Sequence, residues 1–132
     1  ILAVGSLTQR KGHDVLLNAL AELTDLEWTA EIVGGAHDPE VAKALPDQTA
    51  RLGLTQRVRF IGELDRPGLN ACYQRASIFA LATRYESFGM VFASGFEDQA
   101  TAYALTVDEV RAAIDAAGNA ETRVANGSCE LR

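Results

Sequence analysis

The first 23 residues, "ILAVGSLTQRKGHDVLLNALAEL" (1–23), decide the fold class because they predict a strand, a loop and a helix in succession. The apolar run at 1–5 closes on Gly5, which is typical of a buried strand that ends in a turn. From Val15 to Leu23 apolar residues recur at the spacing of one helix face, and Asp14 suits the helix start. The segment therefore predicts one strand and helix unit of an α/β sheet.

The same form recurs along the chain. Apolar runs follow at "WTAEIVGG" (28–35), "VRFIG" (58–62) and "SIFALAT" (77–83). Between them, residues 40–52 predict a weaker helix interrupted by Pro46, and a third helix carries the apolar stripe Leu69, Cys72, Tyr73 and Ala76. This alternation predicts an α/β doubly wound parallel sheet. Ligands of such sheets bind beyond the carboxyl ends of the strands, which places functional residues at 5–12, 34–38, 62–66 and 83–89.

The last third of the chain has a different pattern. "TVDEVRAAIDAAG" (106–118) predicts an amphipathic helix that opens with the capping box of Thr106 and Glu109 and ends at Gly118. No further strand of the sheet is recognisable after residue 83, apart from a weak candidate around Val124. We therefore predict an α/β domain at 1–94 and a helical tail at 95–132 that packs on the same core.

Composition excludes several classes of partner and location. The chain has 132 residues and a net charge of −6, with 48% hydrophobic residues. These values predict one folded domain, and the absence of a basic cluster excludes nucleic acid as a partner. Apolar runs are too short for a transmembrane segment, and the N-terminus lacks a signal pattern. Because the chain starts inside an apolar run, we expect it to be part of something longer.

The two cysteines, Cys72 and Cys129, lack the spacing of a zinc site or a disulfide framework. We therefore expect no zinc site and a reducing, cytoplasmic setting.

The loop "GSLTQRKGHD" (5–14) is the first candidate site. Amides and the dipole at the helix start, together with the Lys11 ammonium, would form an anion site for a phosphate or diphosphate. The alternative is that Arg10 and Lys11 are a solvated pair and that Gly12 only makes a turn. Neither glycine-rich phosphate motif is present, so this loop alone leaves both interpretations open.

The stretch "ATRYESFGMVFASG" (82–95) is the second candidate, because Glu86 stands between a predicted strand and a predicted helix. Gly89 would let the backbone approach a ligand, and the amides of 88–91 would begin the helix. Glu86 would then accept hydrogen bonds from sugar hydroxyls. The alternative is a loop carboxylate at a helix start, which contributes about 0.3–1 kcal/mol.

The two histidines, His13 and His37, both follow strand ends on the same predicted edge. No serine elbow accompanies them, so a catalytic triad is not supported. We predict that His13 packs in the first turn of its helix and that His37 is a loop group near a ligand.

Taken in order, four stretches resemble one family. "VGSLTQRKGHDVLLNALAEL", "EIVGG", "LGLTQRVRFIGEL" and "YQRASIFALATRYESFGMVFA" are similar to the C-terminal, donor-binding domain of retaining glycosyltransferases of the GT-B type, glycosyl transferases group 1. The resemblance covers residues 1 to about 93. It implies a Rossmann-like, three-layer α/β/α domain that holds a nucleoside-diphosphate sugar, with UDP, GDP or ADP as the nucleotide. It also implies an N-terminal acceptor domain across a cleft, and no metal or other cofactor.

The resemblance also implies roles for individual residues. Lys11 would contact the donor diphosphate and Glu86 would hold hydroxyls of the transferred sugar, which makes these two the catalytic candidates. Gly5 would let the loop pass near the diphosphate. The strand "VRFIG" and the loop after "IVGG" would border the base. The remaining residues assigned to nucleotide-sugar binding are Ser6, Arg10, Gly34, Phe88, Gly89, Met90, Val91 and Ser94.

Three departures from the family pattern keep two functional hypotheses open. Ser94 stands where the family has the second glutamate of its E-x7-E motif, Ser6 stands where an arginine is frequent, and the usual continuation after residue 94 is absent. The first hypothesis is a donor-binding domain that is inactive in transfer as this isolated chain. The second is a non-catalytic nucleotide-binding or interaction module. A flavodoxin-like or receiver-like domain is disfavoured, because it would need acidic residues in place of Gly5 and Ser6.

Overall fold

The computed structural model of this protein describes residues 1–84, the backbone of 102–104, and Ile114. The described strands are β1 (Leu2–Val4), β2 (Ala30–Val33), β3 (Val58–Gly62), β4 (Ile78–Ala80) and β5 (Ala102–Ala104). The described helices are α1 (His13–Ala21), α2 (Pro39–Arg51) and α3 (Arg66–Arg75), with a short 3-10 turn at Gln9–Lys11 before α1. Strands and helices alternate as far as β4, as the sequence predicts.

The strands form one parallel sheet in the order β3-β2-β1-β4-β5. Leu2 in β1 lies opposite Glu31 in β2 on one side and Phe79 in β4 on the other. The chain thus winds outward from β1 to β3 and then returns to the far side of β1 with β4. This reversal creates a topological switch point between β1 and β4, where α/β sheets bind ligands. The predicted doubly wound α/β fold is confirmed.

Helices cover both faces of the sheet. On one face, Leu17 and Leu20 of α1 and Leu45 of α2 pack with Ile32, and Ile114 joins the same apolar cluster. On the other face, a second cluster contains Leu2, Val33, Cys72, Tyr73 and Phe79. The side chains of a buried parallel strand alternate between two covered faces, which explains why each strand reads as continuously apolar. The result is the three-layer α/β/α arrangement.

The predicted interruption of the second helix at Pro46 is wrong. Helix α2 continues through Pro46 to Arg51. Pro46 is exposed, whereas Leu45 is buried. The Asp38 carboxylate caps the start of the helix by accepting hydrogen bonds from the amides of Glu40 and Val41. A good cap and an anchored apolar face offset the single backbone hydrogen bond that proline removes.

The prediction that no further strand follows residue 83 is also wrong. Strand β5 (Ala102–Ala104) pairs in parallel with β4, residue for residue. Its sequence is short and rich in alanine, which is depleted in strands, so no apolar pattern marks it. The unpaired edge that β4 would otherwise expose provides the partner.

The predicted helix at 106–118 lies outside the described residues except for Ile114, which is helical and buried. The weak strand candidate near Val124 also lies outside them. Among the helices of residues 1–84, none has the length and apolar character that a bilayer span requires.

Candidate functional site at the carboxyl ends of the strands

The ends of the first three strands are joined by backbone hydrogen bonds. The amide of Gly34 donates to the carbonyl of Gly62 at 2.9 Å, and the amide of Gly5 donates to that of Val33 at 2.9 Å. We use the term rim for residues 5–12, 34–38, 62–63 and 81–84, which follow the carboxyl ends of β1 to β4. The hydrogen bonds hold these loops side by side, where the fold places its ligand site.

Gly34, a predicted site residue, is required by close backbone approach. A Cβ atom at Gly34 would lie 1.9 Å from the carbonyl oxygen of Gly5. No L-amino acid with a side chain fits there without movement of the backbone. The two strand exits therefore lie closer together than ordinary side chains allow.

Lys11 is buried, with 6% of its surface exposed. The Cδ, Cγ and Cε atoms of its side chain lie 3.1, 3.3 and 3.4 Å from the position that a Cβ atom of Gly5 would occupy. The aliphatic stem of Lys11 therefore packs on the backbone at the end of β1, and Gly5 leaves room for it. The interpretation of Lys11 as half of a solvated pair is wrong. Arg10, by contrast, is exposed.

Gly12 links this loop to the end of β4. Its φ of 63° lies in the left-handed region, and a Cβ atom would lie 1.9 Å from the carbonyl oxygen of Ala82. Helix α1 begins at the next residue, so the positive end of its dipole lies at the rim. Two separate constraints thus require glycine where the loop turns into the helix.

Arg84 fastens the end of β4 to the loop after β1. Its amide donates to the carbonyl of Arg10 at 2.9 Å, and its Nη1 donates to the carbonyl of Gln9 at 2.6 Å. The guanidinium also donates to both carboxylate oxygens of Asp14, at 2.9 and 2.7 Å. These hydrogen bonds hold the pKa of the Asp14 carboxyl below its usual range. Thr83 adds a hydroxyl bond to the carbonyl of Arg10 at 3.2 Å.

His13 contacts the same loop from the protein interior. It is buried, and its Nε2 lies 3.1 Å from the carbonyl oxygen of Gly5 and 3.3 Å from that of Ser6. Since both neighbours are acceptors, Nε2 carries the proton and donates. Burial lowers the pKa of His13, more than the two backbone contacts raise it. Its Nδ1 has no hydrogen-bond partner among the described residues. His13 thus lies in the first helical turn, as predicted. As a neutral imidazole it holds the loop after β1 in place through its hydrogen bonds.

The other predicted residues of the described rim contribute through the backbone. The carbonyl of Ser6 accepts from Thr8 and His13, and that of Arg10 accepts from Thr83 and Arg84. His37 is exposed on the loop after β2, where its Nε2 and a carboxylate oxygen of Glu63 both approach Gly35.

Six of the eleven predicted site residues lie outside the described residues. These are Glu86, Phe88, Gly89, Met90, Val91 and Ser94. The assignment of catalytic and binding roles to them stays a prediction, as it does for Lys11.

The sequence reasoning missed the pairing of Asp14 with Arg84. The sequence pattern indicates Asp14 only as a residue of the helix start and indicates no role for Arg84. Opposite charges on two loops that leave neighbouring strands would have been the signal, but the strand order was needed to make them neighbours.

Chemically, the described rim is suited to an anion. It combines a helix start, a buried lysine and loops whose backbones lie close together. Among the described residues there is no group of three or more His, Cys, Asp or Glu side chains that could hold a metal ion.

Comparison with known proteins agrees with this geometry. The family described as "Glycosyl transferases group 1" matches residues 1–94. Mannosylfructose-phosphate synthase of Agrobacterium fabrum is 34% identical over 97 residues, which cover 68% of this chain and 21% of that protein. The chain therefore spans about a fifth of the length of this relative.

Solved structures show the same fold at lower identity. A glycosyltransferase from Rickettsia africae superposes with a TM-score of 0.72 at 20% identity, covering 89% of this chain and 37% of the other. HepE of Anabaena in complex with UDP gives a TM-score of 0.68 at 21% identity, covering 92% of this chain and 40% of the other.

The family match covers more than two thirds of the chain and includes every described residue of the rim. It ends at Ser94, where the resemblance read from the sequence also stops. The parallel sheet, the glycine-containing loop after β1 and the matched segment lead to one conclusion: this chain belongs to the group 1 glycosyltransferases.

Proposed function

We propose that this chain is the donor-binding domain of a retaining glycosyltransferase and that it binds a nucleoside-diphosphate sugar at the rim. The observation that carries the proposal is the buried Lys11, whose stem packs on Gly5 beside the start of α1. A lysine held beside a helix start adds a positive charge to the backbone amides and the dipole there, and this combination binds phosphate and diphosphate groups. Family membership and the presence of UDP in the Anabaena neighbour support the same ligand class.

In this proposal Lys11 and the helix dipole stabilise the negative charge of the leaving diphosphate, so that no metal ion is required. Gly5, Ser6, Arg10 and Gly34 form the backbone of that subsite. Glu86 orients the sugar hydroxyls, and the backbone of 88–91 together with Ser94 completes the donor site. An N-terminal acceptor domain would close the cleft, so we expect negligible sugar transfer by the isolated chain. The buried free thiol of Cys72 supports a cytoplasmic setting.

Calorimetric titration of the 132-residue chain with UDP, GDP and ADP tests the proposal. We expect binding of at least one nucleotide, and Lys11→Met should weaken it about tenfold or more because a charge-assisted hydrogen bond is lost. Methionine keeps a long unbranched stem against Gly5, so the packing is retained. Lys43→Met is the matched control, because Lys43 is exposed on α2, away from the rim.

Two results would contradict the proposal. One is the absence of heat with all three nucleotides, and the other is an equal loss of affinity in the two methionine variants. The choice of base follows from whichever nucleotide binds most tightly.

A second candidate function is a non-catalytic nucleotide-binding module. It is favoured by Ser94, which stands where the family pattern has its second glutamate and offers one neutral hydrogen bond in place of a charge-assisted pair. Measurable turnover of a nucleotide sugar with a simple acceptor would exclude this candidate. Tighter nucleotide binding by Ser94→Glu would support it, since the missing ribose contact would then be restored.

A further inference from the structure

The Asp14 and Arg84 pair lies at the switch point of the sheet. Asp14 stands in the first turn of α1, which follows β1, and Arg84 stands four residues beyond the end of β4. Strands β1 and β4 are neighbours, and the winding of the sheet reverses between them. The loop after β1 carries Lys11. In the sequence after β4, Glu86 stands two residues beyond Arg84.

Among the described residues, at least five hydrogen bonds connect the end of β4 to the loop after β1 and to the first turn of α1. Arg84 makes four of them, one from its amide and three from its guanidinium, to Arg10, Gln9 and both oxygens of Asp14. Thr83 makes the fifth, to the carbonyl of Arg10. The planar guanidinium fixes both distance and orientation, because a bidentate carboxylate contact allows a narrow range of geometry.

Exposure limits what the ion pair itself adds to the stability of the fold. The side chains of Asp14 and Arg84 are 41% and 42% exposed, and an ion pair in water contributes little to folding. What the contacts determine is the position of one loop relative to the other. In a ligand site built from two loops, a displacement of about 1 Å is enough to reduce function.

We propose that Asp14 and Arg84 are positioning residues that hold the loop of Lys11 and residues 81–84, which follow β4, at the spacing that a nucleoside-diphosphate sugar requires. This inference rests on the proposed function. It assigns no contact with the donor to either residue, and both act through the loops that they join.

The charge of Asp14 makes the proposal testable by the sign of an effect. Replacement of Asp14 by asparagine removes a negative charge from the neighbourhood of an anion site. A purely electrostatic effect would therefore tighten diphosphate binding. Loss of the positioning pair would weaken it, because the two loops would no longer be held together.

The experiment measures nucleotide affinity and amide exchange on the same variants of the 132-residue chain. For Asp14→Asn we expect about three- to tenfold weaker binding of the nucleotide that the parent chain prefers. The amide of Arg84, which donates to Arg10, should exchange with solvent about three- to tenfold faster.

Glu31→Gln is the matched control. Glu31 also accepts from an arginine, Arg75, at 2.6 Å, but this pair lies between β2 and the end of α3. We expect unchanged nucleotide affinity and unchanged exchange at Arg84. Thermal unfolding of all variants shows whether each one is folded at the temperature of the titration.

The outcomes test the positioning role of Asp14 and Arg84 separately from the proposed nucleotide binding. Tighter or unchanged binding by Asp14→Asn, or an equal loss with Glu31→Gln, would overturn the positioning role. A parent chain that binds none of the three nucleotides would contradict the proposed function. In that case, faster exchange at Arg84 in Asp14→Asn would still support the link between the loops, and unchanged exchange would overturn it.

Discussion

Two arginine–carboxylate pairs connect different parts of this fold. One belongs to the framework, by which we mean the strands and helices away from the rim, and the other lies at the rim. Arg75, at the end of α3, donates to Glu31 at 2.6 Å and also contacts the sulfur of Cys72 at 3.0 Å. It thereby fixes a helix to a strand. Arg84 donates to Asp14 at 2.7 Å and joins two loops at the carboxyl ends of β1 and β4. The chemistry is the same, but only the second pair lies where the fold binds ligands.

The position of each ion pair in the sheet topology decides whether it lies at the ligand-binding rim. The hydrogen bonds of Arg84 to the carboxylate lower the pKa of Asp14, and the corresponding bonds of Asp14 raise the pKa of Arg84. The pKa of Arg75 is raised in the same way by its hydrogen bond to Glu31. The raised arginine pKa is common to both pairs and does not distinguish them, whereas the positions of their strands do.

The largest expected effect concerns the backbone contact at the rim. Gly12→Ala should reduce the free energy of unfolding by about 3–5 kcal/mol, because it combines a positive φ with a backbone clash against Ala82. Gly53→Ala is the matched control. Gly53 has a φ of 71° but no atom within 4 Å of its Cβ position, so only about 1–2 kcal/mol of strain is expected.

Urea denaturation of both alanine variants measures the difference. Equal losses would show that the approach of the β1 and β4 loops at Gly12 adds nothing beyond the strain of the turn. The close approach of the two loops at Gly12 would then not distinguish the rim from the rest of the fold.

A smaller effect concerns pH and the hydrogen bonds of His13. Because the pKa of His13 is lowered in the folded chain, the unfolded chain binds a proton first as the pH falls below about 6.5. Stability is therefore full above that pH and decreases as the pH falls toward the folded pKa, by at most about 1.4 kcal/mol per pH unit.

Urea denaturation at pH 7.5 and pH 5.5 measures this dependence, and His13→Gln should reduce it while keeping a donor for the carbonyl of Gly5. The part that remains comes from the amino group of Ile1, whose pKa burial also lowers from 8.0. Asp14 contributes to the pH dependence of stability at lower pH than His13 does. Its pKa is lowered, so its contribution is present above the unfolded value of 3.8 and is lost as the pH falls through the folded pKa. A parent profile that is flat between pH 7.5 and 5.5 would show that His13 is not held neutral.

The smallest expected effect compares the two arginines directly. Arg84→Lys keeps the charge but loses the planar fork that reaches Gln9 and Asp14 together, so nucleotide binding should weaken about two- to fivefold. Arg75→Lys makes the same chemical change in the framework pair and should leave affinity unchanged. Calorimetric titration of both variants decides, and identical affinities would remove the functional distinction between the pairs.

The order of strands and helices along the chain was predictable because it depends on local patterns. Four apolar strands, the stripe of α1 and the stripe of α3 are each visible within a dozen residues. The continuation of α2 through Pro46 was not, since it depends on the burial of Leu45 beneath the helix and on the cap at Asp38. Strand β5 was missed because its partner, and not its composition, makes it a strand.

The candidate site divides in the same way. The fold class, the family resemblance and the candidates Lys11 and Glu86 follow from local features of the sequence, namely glycine positions, helix starts and charges near strand ends. The burial of Lys11, the hydrogen bond of His13 to the loop after β1 and the pairing of Asp14 with Arg84 become visible only in the folded chain. Those facts depend on which strands are neighbours. Strand order results from packing over the whole sheet, and residues 70 positions apart in the chain become partners only when that packing is complete.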